Sequence, residues 1–245
     1  MKNDQRTIIV DNYRKAARLQ VNNNSYKGLR IHALPGLHDF IAKKAFEYFC
    51  PQARLLDLAA GSGAMSLRMS DLGFNVTATD YVSENFKLDS VPFIKLDLNN
   101  DFSDIYPQKF QAIVASEIIE HLENPRHFAR QCYSLLEVGA RLILSTPNLN
   151  NPASFASFVR SGRFLWFGDV DYEVQGHITP ITQWQIDKSF SEAGFKSIWR
   201  GSFGEGHSLA AGSPRLIMLS KLLSKLSGSD PDLSGEIYVI IFEKK

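Results

Sequence analysis

The chain has 245 residues, with 27 Lys and Arg against 26 Asp and Glu, a formal charge of +1; that argues against a nucleic-acid binder built on a broad basic surface, because phosphate contacts need clustered cations. A hydrophobic fraction of 44% with 17 Phe fills a sizeable core and excludes general disorder. Two cysteines, Cys50 and Cys132, exclude a disulfide scaffold and a Cys-rich zinc module. The start, MKNDQRTIIVDNYRK, lacks the continuous apolar core of a signal peptide, and no apolar run approaches the ~20 residues that cross a bilayer. A soluble cytoplasmic protein is expected.

Along the chain, Leu37, Ile41, Ala45 and Tyr48 form a helical stripe. From Arg54 onward short apolar runs alternate with helical segments, which predicts a mostly parallel sheet wrapped by helices. The runs are 53–60, 74–80, 93–98, 110–116 and 140–147, followed late by 195–203 and 236–244. The first five show little alternation, as strands covered on both faces should. The spacing predicts a helix over 125–137 with Phe128, Cys132, Leu135 and Leu136 on one face and Gly139 as its stop. Another spans 182–193, with Ile186 and Phe190 inward and Gly194 as terminator. Cys132 reads as a small core residue. Two stretches exceed what a minimal sheet needs, the aromatic-rich 148–180 and 204–235, and long connections of this kind are usually functional or disordered.

The sharpest local signal is Leu55-Leu56-Asp57-Leu58-Ala59-Ala60-Gly61-Ser62-Gly63, an apolar strand that ends in an acid and turns through small residues into a helix. Small residues let a ligand approach the backbone, and the helix start offers free N–H groups. The second strand ends at Asp80, 23 residues after Asp57, which suits a ribose-binding carboxylate. The third ends near Asp97 and the fourth at Ser116-Glu117, so polar groups line a crevice at four successive strand ends. Gly61 and Gly63 are followed by Ser66 rather than a third glycine, against a nicotinamide enzyme, and no P-loop Gly-Lys-Ser/Thr exists.

This pattern resembles the class I S-adenosylmethionine-dependent methyltransferases over roughly residues 53–200, with the late strand pair also fitting. The family's acid-x-Gly-x-Gly-x-Gly motif stands here as Asp57-x-Ala59-x-Gly61-x-Gly63, with Ala59 in place of the first glycine. The resemblance implies a Rossmann-like α/β fold, a seven-stranded mixed sheet with helices on both faces, in one domain over 1–245. Within it, 1–52 would be a lid segment, 53–147 the cofactor-binding half, and 148–180 and 204–235 substrate-side inserts. It also implies that Asp57, Ala59, Gly61 and Gly63 face the methionine part of S-adenosylmethionine. Asp80 would hold the ribose, Tyr81, Asp97 and Leu98 would meet the adenine, and Ser116 would line the crevice. His32 and His38 flank Pro35-Gly36 in the lid segment.

Methyl transfer is an in-line displacement that needs positioning and the removal of one proton, for which His is the usual base. After the fourth strand comes Ser116-Glu117-Ile118-Ile119-Glu120-His121-Leu122. A helical turn there would put Glu117, Glu120 and His121 on one face. The aromatic insert ends in Gly176-His177-Ile178-Thr179-Pro180. Two readings stay open: Glu117 and His121 orient the cofactor and loop, or Glu117, Glu120, His121 and His177 bind a divalent metal. The latter set resembles ubiquinone-pathway O-methyltransferases and small-RNA 2′-O-methyltransferases, in which the metal would lower the pKa of the substrate hydroxyl. In either reading His121 and His177 are the catalytic candidates.

Ser145-Thr146-Pro147-Asn148 resembles the strand ending of related glycan- and small-molecule-modifying enzymes. The insert after it, with Arg160 and Arg163, is either an acceptor wall or a hydrophobic cover. The expected acceptor is a hydroxyl on a small molecule or saccharide, with no nucleic acid as partner. N- or C-methylation of another small molecule and a non-catalytic cofactor-binding partner subunit are the alternatives. Formation of S-adenosylhomocysteine with and without an acceptor discriminates between them. Within 204–235, Leu216, Leu219, Leu222, Leu223 and Leu226 recur at helical steps, with Lys221 and Lys225 expected opposite. That stripe would meet the protein's own sheet, a second copy in a homodimer, or a lipid surface.

Overall fold

The computed structural model describes residues 24–207, 213–228 and 230–245. A two-stranded hairpin, β1 (Ser25–Tyr26) and β2 (Leu29–Arg30), leads into α1 (Leu37–Tyr48). The sheet strands are β3 (Arg54–Leu58), β4 (Asn75–Asp80), β5 (Phe93–Lys95), β6 (Phe110–Ser116), β7 (Leu136–Pro147), β8 (Phe195–Phe203) and β9 (Ile237–Lys244). Between them lie α2 (Ala64–Asp71), α3 (Pro125–Leu135), α4 (Pro152–Ser161), α5 (Gln183–Ala193) and α6 (Pro214–Ser227). The seven strands run in the order β5-β4-β3-β6-β7-β9-β8. The first five pair in parallel, and β9 is antiparallel to both β7 and β8.

Strand periodicity sorts side chains to two cores. On β9, Tyr238, Ile240 and Phe242 face the layer of Phe128, Cys132, Ile186 and Phe190 from α3 and α5. Ile237, Val239 and Ile241 face the layer of Leu37, Ile41, Met65 and Met69 from α1 and α2. The Phe190 and Phe242 rings stack at 4.5 Å. All seven expected strands are present, and the sheet is covered on both faces. The order of connection reverses at β3, between β4 and β6, which opens a crevice at their carboxyl ends.

Helix ends follow local chemistry. Thr182 and Gln185 form a capping box at the start of α5, and Gly194 at φ 108° ends it. Four expectations are corrected. The helix expected over 125–137 stops at Leu135, because Leu136 turns extended and pairs with Phe110 on β6. Gly139, expected as the helix stop, instead takes φ 78° inside β7 where the pairing register shifts. The third strand ends at Lys95, and Asp97 lies in the following turn, its carboxylate accepting from the Asn99 N–H at 2.9 Å.

The fourth correction concerns 214–227, which is helical as expected but splits its stripe. Leu216, Leu219 and Leu223 are half-buried on the inner side, and α6 packs against α4. Leu222 and Leu226 face solvent together with Lys221 and Lys225. Residues 1–23 of the expected lid and 208–212 and 229 of the second insert lie outside the described residues.

Candidate active site

A cavity of about 220 Å³ opens at the carboxyl ends of β3, β4, β5 and β6. It collects Asp57, Ala59, Gly61, Asp80, Tyr81, Asp97, Leu98 and Ser116, every expected cofactor contact except Gly63. Gly63 shapes the site from behind. It caps α2 at φ 91°, and a Cβ there would meet Leu88 at 2.9 Å and Phe86 at 3.0 Å. Over Gly61 nothing lies within 4 Å of where a Cβ would stand, so the backbone is open to a ligand. Ala59 takes φ 63°, a left-handed conformation that costs an alanine roughly 1–2 kcal/mol.

Both acids of the crevice are held from below. Asp57 is buried and accepts a 2.5 Å bond from the Ser66 hydroxyl. Burial pushes its carboxyl up to about 7, against the Ser66 bond and with a further push from Asp80. Asp80 accepts from the N–H groups of Gly61 and Val82, each at 2.8 Å. Burial raises its pKa, and these backbone bonds oppose that. Its lone pairs exceed these two donors, so it retains acceptor capacity for a diol.

Glu120, His121 and His177 come together beside the cavity. Glu117 takes φ 53°, so the chain leaves β6 through a left-handed residue before a 3-10 turn at Ile119–His121. The helical turn that would have aligned Glu117 with Glu120 is therefore absent. The Glu117 carboxylate instead accepts from the Ser145 hydroxyl at 2.8 Å and lines the cavity. Glu120 is wholly buried; one oxygen accepts from the Thr146 hydroxyl at 2.8 Å, and the other, Oε1, has no hydrogen-bond partner and lies 3.8 Å from His121 Nε2. Burial raises both glutamates, Glu120 further through the charge of Glu117.

The Glu120 carbonyl accepts from the N–H groups of Ile178 and Thr179, which fixes the segment carrying His177 beside His121. His121 Nδ1 lies 3.1 Å from the Gly176 carbonyl, and His177 Nδ1 lies 2.7 Å from the Trp166 carbonyl. Since a carbonyl only accepts, each Nδ1 carries the hydrogen. In a neutral ring Nε2 is then a free lone pair. Burial lowers both histidines, His121 to about 3, so both rings are neutral near pH 7. One ligand atom from each of the three residues lies within 4.8 Å of the other two.

His121 lines the cavity, and Glu120 and His177 stand behind it. Arg30, His32 and His38 line it from the N-terminal side, and the Ser62 hydroxyl ties the Arg30 carbonyl down at 2.6 Å. Burial lowers both His32 and His38 to about 4. From the aromatic insert only Gln175 and Ile178 reach the cavity; Arg163 pairs with Asp169 at 2.7 Å, away from it. Sequence reasoning missed Arg30, Gln175 and the partnership of Thr146 with Glu120. Their distance along the chain from the glycine motif left no local signal.

A methyltransferase-domain family model matches residues 29–198. A ubiquinone biosynthesis O-methyltransferase of Xanthomonas campestris pv. campestris (strain B100) is 33% identical over 144 residues, 55% of this chain and 59% of that one. One of Xanthomonas oryzae pv. oryzae (strain PXO99A) is 32% identical over 121 residues, 46% and 50% of the two chains. The chain thus spans half to three-fifths of the length of these relatives. Among solved structures, an S-adenosylmethionine-dependent methyltransferase from Archaeoglobus fulgidus superposes with TM-score 0.61 at 18% identity, over 84% of this chain and 94% of that one. The [4+2]-cyclase SpnF superposes at 0.58 and 13% identity over 98% and 94%. At such identities these two show the shared fold. No helix among the described residues is long and apolar enough to cross a membrane. With the family model covering most of the chain, the protein belongs to the methyltransferase domain family and has the class I, Rossmann-like fold.

Proposed function

We propose that the protein transfers the methyl group of S-adenosylmethionine to a hydroxyl of a small molecule, and that Glu120, His121 and His177 would hold a divalent cation at the acceptor. One observation carries this reading. One ligand atom from each of Glu120, His121 and His177 lies within 4.8 Å of the other two beside the cavity that Asp57 and Asp80 line, and the wholly buried Glu120 Oε1 has no hydrogen-bond partner and lies 3.8 Å from His121 Nε2. A buried carboxylate oxygen without a partner is costly. A cation would supply the missing partner, and hydrogen bonds that fix each imidazole from behind are what metal-binding histidines usually have. The relatives named as O-methyltransferases support the same class of acceptor atom.

The cofactor residues fit as well. Gly61 leaves its backbone open, and Asp80 can accept two ribose hydroxyls. Asp57 braces the turn through Ser66, and Tyr81 and Leu98 offer apolar surface to a base. S-adenosylmethionine supplies an electrophilic methyl group for in-line displacement. A divalent cation supplies Lewis acidity that lowers the pKa of a bound hydroxyl. The chain's own task is placement: Asp80 and the glycine turn set the methyl donor, and the lid residues His32 and His38 exclude water. His121 Nε2, at the cavity wall, is the position able to hold a ligand or take a proton. Two imidazoles and a carboxylate suit Mn²⁺, Co²⁺ or Zn²⁺ better than Mg²⁺.

On this reading residues 1–245 act as one domain, and a saccharide acceptor is less well supported than a phenol, because only Gln175 and Ile178 of the aromatic insert face the cavity. The test is a panel of phenols, catechols and saccharides, scored for S-adenosylhomocysteine and for the atom methylated. A methoxyl on a phenolic ring supports the proposal, and methylation at nitrogen or carbon contradicts it.

A further inference from the structure

The helix α6 is tied to the body of the protein on one side and bare on the other. On its inner side Ser220 is fully buried and meets the His207 imidazole, and Leu216, Leu219 and Leu223 are half-buried. On its outer side Met218 is 71% exposed, Leu222 53% and Leu226 74%. Arg215, Lys221 and Lys225 are exposed between them. These six residues recur at three- and four-residue steps and form a single stripe. The helix contains no acidic residue, and neither does α4, the helix packed against it, which exposes Phe155, Phe158, Val159 and Arg160. Among the described residues, none of these four cations is in an ion pair. In a chain of net charge +1, that is a local concentration of one sign.

We propose that α6 docks the protein onto an anionic lipid bilayer. Met218, Leu222 and Leu226 enter the boundary between headgroups and acyl chains, and Arg215, Lys221 and Lys225 meet lipid phosphates. Charge selects this occupant. A second copy related by a two-fold axis would set the same three cations against themselves, with no acid on the helix to pair them. A bilayer bearing negative headgroups satisfies them, at roughly 1 kcal/mol for each cation near the surface, or about five-fold in partition. Geometry agrees. Fourteen residues of helix reach about 21 Å, too short to span the ~30 Å apolar slab but suited to lying in its interface.

The experiment is flotation of the full chain with phosphatidylcholine vesicles, with and without phosphatidylglycerol. Binding is expected only to the anionic vesicles and should weaken as salt rises. The double variant Lys221→Glu, Lys225→Glu should reduce partition at least about twenty-five-fold. Leu222→Ser with Leu226→Ser should also release the protein. All four positions are solvent-facing, so cofactor binding by calorimetry should stay unchanged in both variants. Equal binding to neutral vesicles, or binding that survives charge reversal, overturns the proposal. So does absence of binding combined with a dimer in sedimentation that Leu222→Ser, Leu226→Ser dissolves, which would assign the face to a second copy.

Discussion

The imidazoles of His121 and His177 meet edge to face, with ring centroids 4.9 Å apart and planes inclined at 80°. One follows β6 and the other closes the segment between α4 and α5, and the backbone carbonyl of Glu120 holds the two together. Replacing either by alanine should lower kcat about a hundred-fold or more. The cofactor dissociation constant should stay within a few-fold, because neither ring meets Asp57 or Asp80. Titration calorimetry beside steady-state turnover checks the split; a parallel loss of cofactor binding would assign the pair to the cofactor instead.

Asp80 is the residue on which cofactor affinity should depend most. A ribose diol gives a carboxylate two charge-assisted hydrogen bonds. Asp80→Ala should weaken S-adenosylmethionine about ten-fold or more, as expected for a loss of ~1.5–3 kcal/mol. The same change frees the N–H groups of Gly61 and Val82, so Asp80→Asn is the milder companion. Unchanged affinity in both would displace the ribose from this strand end.

Ala59 stands at φ 63° where the family motif has glycine. Ala59→Gly removes the left-handed penalty but gives the unfolded chain more freedom. The first effect is the larger, so urea denaturation should show a gain of up to about 1 kcal/mol. A loss of stability would mean that the Ala59 methyl group contributes more by packing than its backbone costs.

His38 is almost wholly buried on the cavity wall, and burial holds its pKa at about 4 against an ordinary value of 6.5. A histidine depressed by folding stabilises the native state above pH 6.5. That contribution falls away as pH drops from 6.5 through 4, where the unfolded chain takes up the proton first. Asp57 has the opposite sign: raised to about 7, its contribution is present below its ordinary 3.8 and is lost as pH rises through 7. The slopes oppose one another, so the wild-type profile alone is ambiguous. The difference between wild type and His38→Asn isolates the histidine. Their stability gap should change between pH 7 and pH 4.5, with the wild type losing more on acidification. A constant gap would mean that His38 is not buried in solution as it is here.

The strands were legible because parallel, doubly covered strands are apolar runs separated by helical spacing, and each run returned within a few residues of its place. The crevice was legible because Asp57, Gly61, Gly63 and Asp80 belong to one local turn and one fixed strand spacing. The cluster of Glu120, His121 and His177 was readable only as a set of residue types. That Glu117 would turn left-handed away from Glu120, and that Thr146 would take one Glu120 oxygen and leave the other bare, depend on contacts between β6 and β7 that no local pattern encodes. Gly139 misled for a similar reason: a glycine after an apolar helix reads as a stop, but the pairing of Leu136 with Phe110 ended the helix first. Lys221 and Lys225 came out beside Leu222 and Leu226 because packing against α4 selected Leu216, Leu219 and Leu223 as the inner face.

The most direct measurement is turnover of a phenolic acceptor before and after chelation, with the metal content of the purified protein determined in parallel. The account predicts that excess EDTA abolishes methyl transfer, that Mn²⁺ restores it, and that Glu120→Gln cannot be restored although it still binds S-adenosylmethionine. Full turnover by metal-free protein in excess EDTA would contradict it, leaving His121 to take the acceptor proton without a cation.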